Sequence, residues 1–183
     1  MRRTASGFIK KYPVVDICCG TCVQLNHIAA RGEGDVYGLD LDRRVLEYAQ
    51  KKYDFPLILG DAAQLPFTSA FFGTAVISFA LHDKTPAVRG SILAEVRRVL
   101  QPGGYLVLVD FVKPWDRKSR WGAAATHMIE RMAGREHYRN GRQFLQAGGL
   151  LEFMKQNGLV EIERHQVAGG SYGVIRCRFS DNR

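Results

Sequence analysis

The sequence predicts an α/β fold of three layers, in which a doubly wound, mostly parallel sheet of seven strands lies between two layers of helices. Apolar runs of strand length alternate with segments of helical periodicity, as they do in βαβ units. The apolar run TAVISFA at 74–80 is typical of a central parallel strand that is buried on both faces. Two strand-like segments that follow one another near the C-terminus indicate a closing antiparallel hairpin.

Each element has its own signal. The predicted strands are short segments rich in apolar residues, at 13–18, 36–40, 56–60, 74–80, 105–112, 159–167 and 171–179. The predicted helices repeat apolar residues every three or four positions, at 23–32, 42–53, 86–100 and 149–158. Asp42 is a suitable N-cap for the second helix, and the sequence QPGG at 101–104 ends the third. The basic segment 114–140 is predicted to be mostly helical.

Length and composition limit the classes of protein. The 183 residues predict one domain, 1–183, without linker or repeat. The longest apolar run, 74–81, is too short to span a bilayer, and the basic start lacks the apolar stretch of a signal peptide. We therefore expect a cytoplasmic protein with reduced cysteines.

The net charge of +8 raises the question of a nucleic-acid partner. Its basic residues are spread along the chain and are not interleaved with aromatic residues, unlike those of stacking platforms. A solvated basic surface is the favoured interpretation. An anionic small substrate and membrane headgroups stay open as alternatives.

Three of the four cysteines lie in the segment VVDICCGTCVQL at 14–25, which has two interpretations. Cys19 and Cys22 form a C-x-x-C motif between a predicted strand and a predicted helix, where a thiol with a lowered pKa can do redox chemistry. The same segment also has the form of a glycine-containing turn that holds a nucleotide. A metal site is not expected, because Cys177 is the only distant cysteine and a tetrahedral zinc site needs four ligands.

An acidic residue at the end of the next strand supports the nucleotide interpretation. Asp40 ends the segment VYGLD, where a carboxylate can accept from ribose hydroxyls. Residues 16–22, DICCGTC, resemble the first motif, D-x-G-x-G-x-G, of class I S-adenosylmethionine-dependent methyltransferases, which have a Rossmann-like sheet. LGDAAQLPF at 59–67 and AVISFALHD at 75–83 resemble later motifs of that family, in its order and spacing. The nearest likeness is to its branch of ubiquinone and menaquinone biosynthesis C-methyltransferases.

The resemblance implies S-adenosylmethionine as cofactor and a role for each matched residue. Asp16 would orient the methionine end and Gly20 would allow close approach of the cofactor. Asp40 would accept from the ribose hydroxyls, while Asp61 would accept from the adenine amino group. The full set of implied cofactor contacts is Asp16, Cys18, Gly20, Asp40, Leu41, Asp61, Ala62 and Phe79.

The acceptor side has one candidate catalytic residue. His82 follows the fourth strand at the carboxyl edge of the sheet, where it could act as a general base, although a capping or surface histidine is the alternative. Phe79, Phe111 and Tyr172 could line an apolar acceptor pocket, whereas His127 and His137 have no assignment. The Pro-Pro-aromatic motif of nucleic-acid amino methyltransferases does not follow the fourth strand.

We therefore expect a methyltransferase with a small-molecule acceptor, such as a quinone precursor or another aromatic or enolic compound. The alternatives are a catalytically silent S-adenosylmethionine-binding protein or subunit and, less favoured, a dithiol oxidoreductase that uses Cys19 and Cys22.

Two departures from the family pattern bear on this choice. Cys18 and Cys22 stand where glycine is usual, and a Cβ is costly there if φ is positive. Only about twelve residues precede the first strand, so we expect most of the usual N-terminal lid helices to be lacking, and a homo-oligomer would be one way to cover an open cleft.

Overall fold

A computed structural model describes residues 2–112, 135–167 and 170–180. Its seven strands form one sheet. They are β1 (Val14–Ile17), β2 (Val36–Asp40), β3 (Leu57–Leu59), β4 (Phe72–Ser78), β5 (Leu100–Phe111), β6 (Leu159–Val167) and β7 (Tyr172–Phe179). The order across the sheet is β3-β2-β1-β4-β5-β7-β6.

The first five strands are parallel, and the last two are antiparallel to their neighbours. The sequence-based prediction of a mostly parallel, seven-stranded sheet with a C-terminal hairpin is therefore confirmed. The strand order reverses between β1 and β4, so a crevice opens at the carboxyl ends of these two strands. Ile17 lies beside Leu39 and Ile77 in the register, and the loops after β1, β2 and β4 consequently meet at one edge.

Six helices are present in the described part of the chain. They are α1 (Arg2–Gly7), α2 (Val23–Ala29), α3 (Arg43–Gln50), α4 (Pro86–Val99), α5 (Arg135–Gln146) and α6 (Gly149–Gln156). Several boundaries differ from prediction: α2 ends at Ala29 instead of residue 32, α3 ends at Gln50 instead of residue 53, and β5 begins directly after α4 instead of at residue 105. The helix α1 had no sequence signal. The predicted helical segment 114–140 lies mostly outside the described residues, and only its end falls in α5.

Two apolar clusters lie on the two faces of the sheet. One joins the strands to α4, α5 and α6, through side chains such as Ile92, Phe144 and Leu150. The other joins them to α1 and α2, through Ala5 and Leu25 among others. Because β1 is buried along its whole length, neighbouring side chains of this strand pack on opposite faces, and the three-layer architecture follows. Among the described residues, no helix combines the length and apolarity needed to cross a bilayer.

Candidate functional site

The turn after β1 has an unusual backbone. Cys18, Gly20 and Cys22 all have positive φ angles, of 61°, 53° and 58°. The left-handed conformation costs a residue with a Cβ about 1–2 kcal/mol, whereas glycine adopts it readily. Both cysteines therefore occupy positions whose backbone favours glycine. The sequence left open whether φ is positive or negative here, and a positive φ is the case in which a Cβ is costly.

The two cysteine side chains point to different environments. Cys18 lines a cleft at the carboxyl edge of the sheet. Cys22 is fully buried and packs in the cluster that contains Leu25 and Ile28. Its thiol donates to the sulfur of Cys19 at 3.1 Å. The Cys22 sulfur therefore lies in the core, and it leaves the space above the turn open.

The thiols of this turn are poorly suited to redox chemistry. Burial raises the pKa of Cys18 to about 12. The pKa of Cys19 is also raised, first by the hydrogen bond with Cys22 and then by burial. A catalytic dithiol needs the opposite shift, because the thiolate is the nucleophile. The raised pKa values of these thiols thus oppose the dithiol oxidoreductase interpretation.

The left-handed backbone at Cys18 leads to a stability prediction. We expect the free energy of unfolding of Cys18→Gly to be about 1 kcal/mol higher than that of Cys18→Ala. The reason is that only alanine places a Cβ on a backbone with a φ of 61°. Urea denaturation of the two variants measures the difference. At the exposed helical position Ser91 the order should reverse, with Ser91→Ala above Ser91→Gly by a similar amount, about 1 kcal/mol. Equal stability of the two Cys18 variants would contradict the strained turn.

Asp40 ties the turn after β1 to the turn after β2. Its Oδ2 accepts the backbone N–H of Gly20 at 2.7 Å, and its Oδ1 accepts the N–H of Asp42 at 2.9 Å. Asp42 caps α3 as predicted, by accepting the N–H of Arg44 at 2.8 Å. The carboxylate of Asp40 is thus held in place by both turns.

Asp16 lies beneath this turn and is 2% exposed. Burial, with a smaller contribution from the negative charge of Asp40, raises the pKa of Asp16 to about 8. The carboxyl group therefore keeps its proton at neutral pH in the folded protein. In the unfolded chain, an aspartate releases its proton near pH 4, at about 3.9.

This raised pKa of Asp16 makes stability depend on pH. The folded form holds a proton that the unfolded form releases between about pH 4 and pH 8. The stabilising contribution of Asp16 is therefore complete below pH 4 and is lost as the pH rises to 8. Relative to Asp16→Asn, the wild type should lose up to about 1.4 kcal/mol of unfolding free energy per pH unit in this range. Urea denaturation of both proteins across the range tests this, and a difference independent of pH would contradict it.

The cleft has a volume of about 260 Å³. It brings together most of the residues that the sequence implied. Its lining consists of Cys18, Leu39, Asp40, Leu41, Gly60, Asp61, Ala62, Phe79, Ala80, Asp83, Lys84, Val88 and Ile92. The lining residues around Lys84 and on α4 were not assigned to the site from the sequence. Their place directly after β4, at the carboxyl edge of the sheet, is a signal that could have indicated them.

Of the implied cofactor residues, only Asp16 and Gly20 are outside the lining of the cleft. Gly20 does not line it, but a Cβ built on Gly20 would meet no atom of the described residues within 4 Å, so open space lies above this glycine. Leu41 is 71% exposed at the rim. Asp61 accepts the N–H of Ala63 at 2.8 Å, which orients its carboxylate. An open glycine, oriented carboxylates and an exposed apolar side chain fit the adenosine part of the implied cofactor.

His82 is placed differently from the expectation. It is 2% exposed and does not line the cleft, so the alternative of a surface histidine is wrong. Its Nδ1 lies 2.8 Å from Oδ1 of Asp110, which is also buried. Asp110 ends a run of apolar residues on β5, next to β4, so its position at the carboxyl edge was a signal that sequence reasoning missed.

An aromatic cluster adjoins His82. The ring of Phe79 lies 5.1 Å from that of Tyr172, and the ring of Phe111 lies 4.5 Å from that of His82, between centroids. Phe79 itself has a φ of 53°, and strained backbone of this kind is concentrated at functional sites. The three aromatic residues that the sequence singled out are therefore together.

A second histidine completes this group. His137, on α5, places its Nε2 3.4 Å from Nε2 of His82. Its Nδ1 lies 3.6 Å from Oδ2 of Asp83. Nothing in the sequence around His137 indicated this contact, because the segment before it gave no clear pattern. His127 lies outside the described residues. Within the part of the chain that the structure describes, no three His, Cys, Asp or Glu side chains are grouped as metal ligands.

Sequence comparisons identify similar proteins. A family model described as a methyltransferase domain matches residues 14–104. An uncharacterised methyltransferase of Synechocystis sp. is 35% identical over 170 residues, which cover 90% of this chain and 74% of that protein. A demethylmenaquinone methyltransferase of Beutenbergia cavernae is 38% identical over 104 residues, or 56% of this chain and 42% of that protein. The chain thus spans less than half of the length of this second relative.

Solved structures show the same fold. The 1,6-didemethyltoxoflavin-N1-methyltransferase of Burkholderia thailandensis, determined with 1,6-didemethyltoxoflavin and S-adenosylhomocysteine, has a TM-score of 0.68. Its sequence is 18% identical, and the match covers 98% of this chain and 78% of that one. At this identity the likeness concerns the fold alone.

Proposed function

Because this chain belongs to the family of class I S-adenosylmethionine-dependent methyltransferases, we propose that its acceptor is a small aromatic or enolic molecule, such as a quinone precursor. Methyl transfer is its enzymatic activity, and S-adenosylmethionine is its cofactor. The observation that carries the proposal is the aromatic cluster of Phe79, Phe111 and Tyr172 beside the cleft. Phe79 lines the cleft, and together with the two rings behind it this side chain would give an apolar wall for a planar ring.

We assign the cofactor to the cleft, where it would supply a methyl group from its sulfonium. The carboxylate of Asp40 has a lone pair left on each oxygen to accept from the ribose hydroxyls. Asp61 is exposed at the same edge and accepts from the adenine amino group, while the backbone N–H of Ala62 donates to the ring. Leu41 covers one adenine face, which explains an apolar side chain left exposed at the rim. Since in-line transfer needs little covalent chemistry from the protein, these contacts act by positioning.

Four further residues complete the assignment of the cofactor site. Gly20 leaves room for the methionine part, and Asp16 orients that part through the backbone of the turn and water. Cys18 and Phe79 form the wall between the cofactor and the acceptor. Because Cys18 keeps a Cβ in this wall, a cofactor-binding protein without turnover is the second candidate function.

On the acceptor side, we assign proton removal to His82 together with Asp110. A carboxylate that holds Nδ1 of an imidazole fixes its tautomer and stabilises the cation that forms. The pair takes up the proton directly or through a neighbouring ring. Two similar proteins, a demethylmenaquinone methyltransferase and a ubiquinone/menaquinone biosynthesis C-methyltransferase, support an acceptor of the quinone class for this chain.

The remaining expectations concern partners and location. We expect no nucleic-acid substrate, and we keep a homo-oligomer as the proposed cover of the cleft. We also propose that the chain is a single domain, 1–183, that works in the cytoplasm, where cysteines are kept reduced.

Calorimetry with S-adenosylmethionine and S-adenosylhomocysteine is the first experiment, and we expect one site per chain. Transfer of a radiolabelled methyl group to a panel of hydroquinones, phenols and enols is the second. Absence of binding would reject the assignment of the cofactor site. Binding without transfer to any member of the panel would favour the silent cofactor-binding protein.

A further inference from the structure

We propose that His137 is the catalytic residue that takes the proton from the acceptor, and that His82 acts through it as a positioning residue. This inference rests on the proposed function and narrows its acceptors to molecules with an acidic hydroxyl group. It follows from a chain of contacts that runs from Asp110 through the two histidine rings to Asp83.

The chain starts at Asp110, whose carboxylate is surrounded by donors. Its oxygens accept the backbone N–H groups of Leu81 at 3.1 Å, His82 at 3.2 Å and Phe111 at 2.8 Å. An ionised carboxylate accepts only, so the fourth contact, with Nδ1 of His82, must be a donation from the ring. The hydrogen-bond network thus assigns the proton of His82 to Nδ1, and its Nε2 carries a lone pair.

The tautomer of His82 determines that of His137. The lone pair on Nε2 of His82 faces Nε2 of His137 at 3.4 Å, so His137 is the donor and carries its proton on Nε2. A neutral imidazole has one proton, and the basic atom of His137 is therefore Nδ1. The side chain of His137 is 28% exposed, whereas that of His82 is 3% exposed. The basic atom at the accessible end of the chain is thus Nδ1 of His137.

The charged groups around the two rings suit uptake of a proton. Asp110 on β5 holds His82, and Asp83 after β4 lies 3.6 Å from Nδ1 of His137. Lys84 pairs with Asp83 at 2.7 Å. The buried guanidinium of Arg89 on α4 donates to the carbonyl oxygen of Leu81 at 2.7 Å, and it lies over the ring of Phe144. With a carboxylate at each end, an imidazolium at His137 is stabilised by an ion pair and by its donation to His82.

The proposed step balances in atoms and charge. The acceptor hydroxyl gives its proton to Nδ1 of His137, and the oxygen keeps the bonding electron pair. The electron-rich carbon of the resulting anion forms the bond to the methyl group, while the broken sulfur–carbon bond leaves its electrons on sulfur. The methylated carbon then loses its proton to solvent, and the oxygen recovers a proton from His137. An acceptor without an acidic hydroxyl group has no proton for this base to remove before methyl transfer.

The tautomers can be tested without an acceptor, by nitrogen NMR of histidine-labelled protein with S-adenosylhomocysteine at alkaline pH. We expect His82 to be protonated at Nδ1 and His137 at Nε2. Replacement His137→Gln should leave the tautomer of His82 unchanged, because Asp110 sets it. Replacement His82→Gln should mix the tautomers of His137. His165→Gln, at an exposed position on β6, is the control and should change neither ring.

Wild-type His137 protonated at Nδ1 would overturn the inference even if the His82→Gln variant does not fold. With an acceptor from the panel, His137→Gln should lower kcat by at least about 100-fold and leave the affinity for S-adenosylhomocysteine unchanged. Imidazole added to His137→Ala should restore part of kcat. Full activity of His137→Gln would refute the assignment of the base, whereas loss of cofactor binding in the wild type would refute the proposed function instead.

Discussion

Replacing Asp110 by alanine should lower the free energy of unfolding by about 3–5 kcal/mol, because the change orphans several buried hydrogen-bond donors at once. Asp110 is 1% exposed, and the change would leave three backbone N–H groups and Nδ1 of His82 without their acceptor. Each such buried donor costs about 1–3 kcal/mol. Urea denaturation monitored by circular dichroism measures the loss.

Two variants separate this effect from a general loss of charge. Asp110→Asn keeps one acceptor oxygen and should lose less stability than Asp110→Ala. Asp54 is exposed, and Asp54→Ala should change the free energy of unfolding by no more than about 0.5 kcal/mol. Equal losses at Asp110 and Asp54 would show that the buried network contributes little.

Asp40→Ala should weaken the binding of S-adenosylmethionine by about 100-fold, or about 2.7 kcal/mol. Its carboxylate is assigned two charge-assisted hydrogen bonds to the ribose, each of the class worth about 1.5–3 kcal/mol. The change also removes the acceptor for the N–H of Gly20, so the turn that borders the cofactor loses its anchor. Calorimetric titration of each variant measures the dissociation constant.

Asp42→Ala is the matched control, since Asp42 is the next acidic residue but caps α3. Loss of the cap should cost about 1 kcal/mol of unfolding free energy and leave the dissociation constant unchanged. An Asp40→Ala protein that binds as tightly as the wild type would remove Asp40 from the cofactor site.

The sheet could be predicted because its signals are local. Each parallel strand is a short apolar run, and a helical segment separates it from the next strand. The direction of the last two strands followed from the short connection between them. The helix α1 and the early start of β5 were missed, because α1 is short and the glycines before Tyr105 concealed an extended segment.

The site was less predictable, since its details depend on contacts between distant segments. The resemblance of the motifs assigned Asp40, Asp61 and Phe79 to one site, and in the structure all three line one cleft. The same likeness could not show that His82 is buried, because its environment comes from β5 and α5. The contact of His137 with His82 joins residues 55 positions apart, and no pattern in either segment encodes it.

The bonds of Asp40 to Gly20 and Asp42 have a consequence for recognition. A free carboxylate side chain samples several rotamers, and a ligand that needs one of them must restrict the others when it binds. Here each oxygen is already fixed by a backbone N–H, so this rotational entropy is lost when the protein folds. The ribose would meet a preorganised acceptor, and the association would carry a smaller entropic penalty.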